Sequence, residues 1–300
     1  MTTSTSSPQA EALPPRAGRR CHNVLNSLHA THYFCPEVGE ELGALGVSDP
    51  RAVNFAIRAA ALGAVGPGTV AATFFNYKYE LIARHVPAVW QVAAPQDVLA
   101  ARLRGVDRTL RRILGDEVVA SPEMAEAAHL ALRATEACSR SGRPLYAAHA
   151  DLPVPEEPHL AYWHAATLLR EHRGDGHLVA LMDAGLDGIE ALVTHTATGK
   201  GMTPKWVFGT RGWAQEDWDA AEERLRARGV LDEEGELTEA GVALRQRIEL
   251  ATDRLDLAPY EHLGAAGVER LTELGTAFVG AALQAGAFPA DLLGKKSASK

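Results

Sequence analysis

A mainly α-helical protein is what this sequence predicts, on three observations. Only 6% of its 300 residues are aromatic, while alanine, arginine and leucine abound, a composition of helical proteins. Apolar residues recur at helical spacing in several long windows. Serine, threonine and proline start signals and glycine stops punctuate those windows. The length fits one large domain or two modest ones, and 46% hydrophobic residues supply ample material for a core.

Residues 1–20, "MTTSTSSPQAEALPPRAGRR", lack the apolar stretch of a secretory signal and read as a disordered arm. The tail, 285–300, ends "GKKSASK" and reads the same way. A helical domain is expected over 21–158. Gly46 to Pro50 is punctuation, Ala52 to Leu62 is a helix of small residues, and "GAVGPG" is a turn. In "PQDVLAARLRGVDRTLRRIL", Val98, Leu99, Leu103, Val106, Leu110 and Leu114 fall at helical spacing, with arginines on the other face. "SPEMAEAAHLALRATEAC" follows behind a Ser121 cap and Pro122 at the first helical position. The prolines of "RPLYAAHADLPVPEEPHL" make it an extended connector.

The second domain is expected over 159–284. It opens with the helix "HLAYWHAATLLREH", which should break at Gly174. "HLVALMDAGLDGIEALVTHTATG" reads as two helices around a glycine turn, and "RGWAQEDWDAAEERLRARGVL" as a helix that stops at Gly229. An acidic turn around Gly235, a long helix capped by Thr238 and the closing helix "LGAAGVERLTELGTAFVGAAL" complete it.

From His177 to about Leu255, this order of helices ending in "ARGVL", a short turn and "LTEAG" resembles the winged-helix domain of MarR-type regulators. The resemblance implies a small β-wing after the helix and entry of that helix into a DNA major groove. It also implies a homodimer through terminal helices, with "LTELGTAFVGAALQ" as the seam. More broadly, Leu28 to Leu274 is similar to an actinobacterial family of winged-helix proteins of unassigned role. The match is carried by "LHATHYFCPE", "WHAATLLREHRGDGH", "RGW..EDW" and "LTEAG…TDRL". That likeness supplies a fold, mainly α with a MarR-like winged helix, and no reaction.

Charge speaks against DNA. The formal net charge is -8, which disfavours non-specific attraction to nucleic acid or anionic membrane. The candidate recognition helix leads with Glu216, Asp217, Asp219, Glu222 and Glu223, and its bases, Arg224, Arg226 and Arg228, come last. A groove reader leads with the opposite sign. The wing "LDEEGE" is acidic too. Acids first and bases last also suit the helix macrodipole without any partner.

The stretch "REHRGDGH", residues 170–177, concentrates the chemistry. As plain structure, Gly174 ends a helix, Asp175 caps the next, and Arg173 pairs with a carboxylate. As a site, Glu171, His172 and His177 are the candidate proton-moving groups, and Arg173 grips an anion. His164 shares a helix face with Glu171, while His29, Tyr33 and Arg58 close the pocket from the N-terminal domain. A histidine in apolar sequence is more often a satisfied core residue, so only the combined set argues for a pocket.

Nothing fixes a cofactor or a metal. Cys21, Cys35 and Cys138 are odd in number and widely spaced, which matches neither a disulfide framework nor a zinc pattern; Cys35 reads as packing. A reducing cytoplasm is their simplest home. No apolar run reaches membrane-spanning length. "GAVGPG" lacks the context of a dinucleotide loop, and neither a nucleophile elbow nor a zinc-protease motif occurs. The expectation is a small-molecule-binding winged-helix protein whose His/Glu/Arg pocket performs acid/base or metal-assisted chemistry on an anionic metabolite. The alternative is a MarR-like, ligand-responsive DNA-binding regulator.

Overall fold

The structure is a computed structural model and describes residues 12–288. Most of the arm and tail expected at the two ends lies outside those residues. Within them, α1 (Ala17–Ala30) already begins inside the stretch read as an arm. It is followed by α2 (Pro36–Ala44), α3 (Pro50–Ala59), α4 (Pro67–Phe74), α5 (Tyr79–His85), α6 (Val89–Val92), α7 (Pro95–Leu114), α8 (Asp116–Val119) and α9 (Pro122–Thr135). Then come α10 (Pro144–Ala150), α11 (Pro158–Asp183), α12 (Gly188–Thr196), α13 (Pro204–Arg211), α14 (Gln215–Ala227), α15 (Glu239–Leu255) and α16 (Ala258–Gln284). Many of these helices open on proline, whose missing N–H would be unpaired there in any case. Ser121 and Thr238 cap as expected, accepting from Met124 N and Gly241 N.

Two apolar clusters form. The larger gathers α1 to α9, the first half of α11 and α16 around Leu25, Phe55, Met124 and Tyr162. The smaller gathers the end of α11 with α12 to α15 around Leu186, Val207, Trp218 and Leu225. Helix α11 threads both. Residues from His159 to Leu169 are buried without a break, as expected of a helix surrounded by protein. Its charged middle, 170–177, is where the chain passes from one cluster to the other.

That middle does not break. Helix α11 is continuous through Gly174, so the expected turn is absent and Asp175 caps nothing on its own helix. Asp175 Oδ2 instead accepts from the N–H groups of Leu145 and Tyr146, at 3.1 and 2.9 Å. It serves the N-terminus of α10, 29 residues earlier in the chain. The segment around α10 is correspondingly helical where an extended connector was expected. Arg143 donates to the carbonyls of His172 and Leu255, at 2.6 and 2.7 Å. A Cβ at Gly176 would lie 2.6 Å from Arg143 Nη1, so the glycine makes room for that guanidinium.

The winged-helix expectation needs correction. Helices α12, α13 and α14 follow in the expected order, and Gly212, at φ 80°, turns the chain between α13 and α14. No β-wing follows: among the described residues there is no strand, only one antiparallel bridge between Leu231 and Leu237. Asp232 Oδ1 gathers the N–H groups of Glu234 and Glu236, at 3.1 and 2.8 Å, into a tight turn. Thr238 then starts α15 at once, so no length is left for a ladder. The apolar side of α16, including Leu271, Leu274 and Phe278, is buried inside the chain, where α16 packs on α1 and α9. Those residues of the expected seam face the chain's own helices, while Leu283 in the same stretch is exposed. No single helix among the described residues is long and apolar enough to cross a membrane.

Candidate functional site

Two cavities share a wall of four side chains. The larger, about 670 Å³, lies between α3, the single turn after α1, α11 and α13; Tyr33, Phe34, Phe55 and Trp206 supply its apolar surface. The smaller, about 340 Å³, is bounded by Asn26, Asn76, Glu171, Gly174 and His177. Arg58, Tyr77, Arg170 and Arg211 line both.

Local sequence explains how the wall is held. Asp49 caps α3 by accepting from Arg51 N and Ala52 N, which orients the helix that presents Asn54 and Arg58. Asn54 Nδ2 donates to the Tyr77 hydroxyl at 3.2 Å. The Arg211 guanidinium carbon sits 4.4 Å from the Tyr77 ring centre, and that of Arg58 sits 4.0 Å from the Phe74 ring centre. Arg211 closes α13, which is docked by Lys78 N donating to Arg211 O and Trp213 Nε1 donating to Asn76 O, both at 2.9 Å.

Electrostatically the wall is positive and unsatisfied. Neither Arg58 nor Arg211 forms an ion pair with a carboxylate among the described residues, and the Nε of each is buried without a hydrogen-bond partner. Burial pushes the Tyr77 phenol up, but Arg211 and Arg58 outweigh it and hold its pKa below the ordinary value. Burial first, and the charge of Arg58 with it, draw the Arg211 guanidinium down against the opposing pull of Tyr77. Burial pushes the Arg58 guanidinium down too, but the charges of Tyr33, Tyr77 and Glu171 outweigh it and hold it above its ordinary value. It therefore stays charged beside Arg211, and an anion set between the two would relieve the strain on Arg211.

The sequence-derived candidates divide. Tyr33 and Arg58 line the larger cavity; Arg58, Glu171, Arg173 and His177 line the smaller. His177 Nδ1 donates to Thr252 Oγ1 at 2.8 Å, because the Thr252 hydroxyl is itself spent on Ile248 O. That bond leaves Nε2 as the acceptor nitrogen. Burial lowers the His177 pKa, so the ring is neutral at pH 7. Arg173 is not a free anion grip: it donates to Asp253 at 2.9 Å and lies 3.6 Å from Asp256, and Arg19 shares Asp253.

The other three candidates are core groups outside both cavities. His172 Nδ1 donates to Asp256 Oδ1 at 2.9 Å, with both side chains 2% exposed. His29 Nε2 donates to Thr167 Oγ1 at 3.0 Å, and its ring stacks on Trp163. His164 is buried, which lowers its pKa to about 4. Among the described residues no three His, Cys, Asp or Glu side chains are placed to hold a metal. Cys35 is buried in the larger cluster, with its thiol 3.9 Å from Ala287 O.

Sequence reasoning missed Arg170 and Arg211. Arg170 was inside the singled-out stretch; its signal is an arginine directly after the unbroken buried run from His159 to Leu169. Arg211, in "VFGTRGW", is an arginine between aromatic residues at a helix end. Both readings need the fold to show which charges lack a partner.

The sequence model of a helix-turn-helix family matches residues 18–289. No curated protein and no solved structure matches the chain.

Proposed function

The chain belongs to this helix-turn-helix family, and from that premise we propose that it binds an organic anion with a planar apolar body in the paired cavities. The carrying observation is the pair Arg58 and Arg211, two guanidiniums that both act on Tyr77 and have no carboxylate partner among the described residues. Buried unpaired charge is costly, and a carboxylate or phosphate relieves it with charge-assisted, bidentate hydrogen bonds. The aromatic surface of the larger cavity takes the apolar body. Where the bound anion undergoes proton transfer, Glu171 and His177 Nε2 are the groups at hand in the smaller cavity. Family membership is also compatible with a DNA-binding or regulatory role, and α13 links the two ideas. We read α13 and α14 as the helix-turn-helix pair, and α13 is also a wall of the larger cavity.

Calorimetric titration of the full chain with 3-phenylpropionate tests the reading, with neutral 3-phenyl-1-propanol as the control. The acid should bind and the alcohol should bind far more weakly. Arg58→Met and Arg211→Met should each weaken the acid roughly 10-fold or more, as expected for loss of a charged hydrogen-bond donor. Equal binding of acid and alcohol, or indifference to both substitutions, would sink the proposal.

A further inference from the structure

Glu171 is the cleft group that an anion alone leaves unexplained. It is 7% exposed and receives no hydrogen bond from any described residue. Its nearest cation is Arg170, whose Nε lies 3.4 Å from Oε1 and is itself without a hydrogen-bond partner. One turn on, Gly174 leaves the space beside Oε2 open; a Cβ there would stand 3.7 Å away. Arg58 faces the same smaller cavity from α3, outside ion-pair distance of Glu171. A carboxylate and a guanidinium that face one cavity without touching are both satisfied by a group set between them, acidic toward the arginine and donating toward the carboxylate.

Building on the anion reading, we propose that the ligand is a hydroxy acid. Its acid group lies on Arg58 and Arg211, its hydroxyl donates to Glu171, and its apolar body fills the larger cavity. An ammonium would also donate to Glu171, but the cavity walls carry Arg51, Arg58, Arg170, Arg173 and Arg211 against Asp49, Glu171 and Asp175. Asp49 and Asp175 are occupied with backbone N–H groups. A further cation meets net repulsion; a neutral donor does not. Glu171 is therefore the residue that sets specificity, reading the substituent beside the acid group.

Three probes isolate that substituent. 3-Phenylpropionate, 3-phenyllactate and phenylalanine share ring and carboxylate and differ at one carbon by hydrogen, hydroxyl or ammonium. Titrated into the full chain, phenyllactate should bind roughly 10-fold more tightly than phenylpropionate, the gain of one hydrogen bond to a charged acceptor. Phenylalanine should be the weakest of the three. In Glu171→Gln, phenylpropionate affinity should hold or rise, while the preference for phenyllactate collapses. Equal affinity of phenyllactate and phenylpropionate for the unaltered chain overturns the proposal, and so does a preference that survives Glu171→Gln. Tightest binding by phenylalanine replaces the hydroxyl with an ammonium and also overturns it. Failure of the underlying anion reading looks different: no acid binds at millimolar concentration, or all bind unchanged after Arg58→Met. The comparison on the unaltered chain decides the matter even if the variant does not fold.

Discussion

Asp175 shows how a single side chain changes its meaning once its partners are known. A short acidic residue after a glycine reads as the cap of the next helix. In the structure it reaches across to α10 and holds two backbone N–H groups there. Burial raises its pKa to about 6 against those bonds, which pull it down. Asp175→Ala leaves both N–H groups without an acceptor and should destabilise by about 2–4 kcal/mol in denaturant unfolding. Asp175→Asn keeps an acceptor and sheds the buried charge, so it should cost clearly less. Equal loss in both variants would show that the charge, and not the acceptor, holds α10 in place. His172 is a similar case: its bond to buried Asp256 makes it a packing and hydrogen-bonding residue, not a cleft group.

At the level of elements, α14 is the helix that the sequence reading would send into a DNA groove, and its charge decides against that use. The arginines at its C-terminal end are already engaged: Arg224 with Asp187 and Glu190, Arg226 with Glu222, and Arg228, just past the helix, with Glu190. Its N-terminal end is tied to the other cluster, where Lys78 Nζ meets Asp217 Oδ2 at 2.6 Å. The residues left exposed along it include Glu216, Asp219 and Glu223, and the turn that follows adds Glu233, Glu234 and Glu236. Facing phosphates, that surface is repelled. Selection of bound fragments from genomic DNA at physiological salt should therefore enrich no sequence. Recovery of one palindromic site whose affinity falls steeply with salt would reverse this conclusion.

Across the whole molecule, buried imidazoles set the response to acid. Burial lowers His32 to about 3 and both His149 and His164 to about 4, from 6.5. Below pH 6.5 the unfolded chain takes up protons that the folded chain refuses, so stability falls as pH drops toward 4. Asp175 and Asp256, raised by burial, work the other way, because the folded chain gains their protons first. Each histidine contributes on the order of 2 kcal/mol between pH 6.5 and 4.5, and the two carboxyls offset part of the sum. The thermal midpoint should fall over that interval. A midpoint that is flat or rising from pH 6.5 to 4.5 would mean that the histidines are hydrated or paired in the folded chain.

What the sequence alone determined is what depends on neighbours along the chain. Ser121 with Pro122, Thr238, Gly229 and the leucine spacing of α7 each act within a turn or two, and each element appears where they place it. The tight interval between Gly229 and Thr238 was also visible, but the resemblance filled it with a hairpin that Asp232 closes as a simple turn. Tertiary structure decided everything that depends on which distant groups meet. It kept α11 whole through two glycines, because Asp175 and the His172 carbonyl serve α10 and Arg143. It committed Arg173 to Asp253 and left Arg58 and Arg211 without a carboxylate among the described residues. An arginine looks the same in sequence whether its charge is paired or not; only the packing of α3, α11 and α13 around a shared space leaves these two facing it.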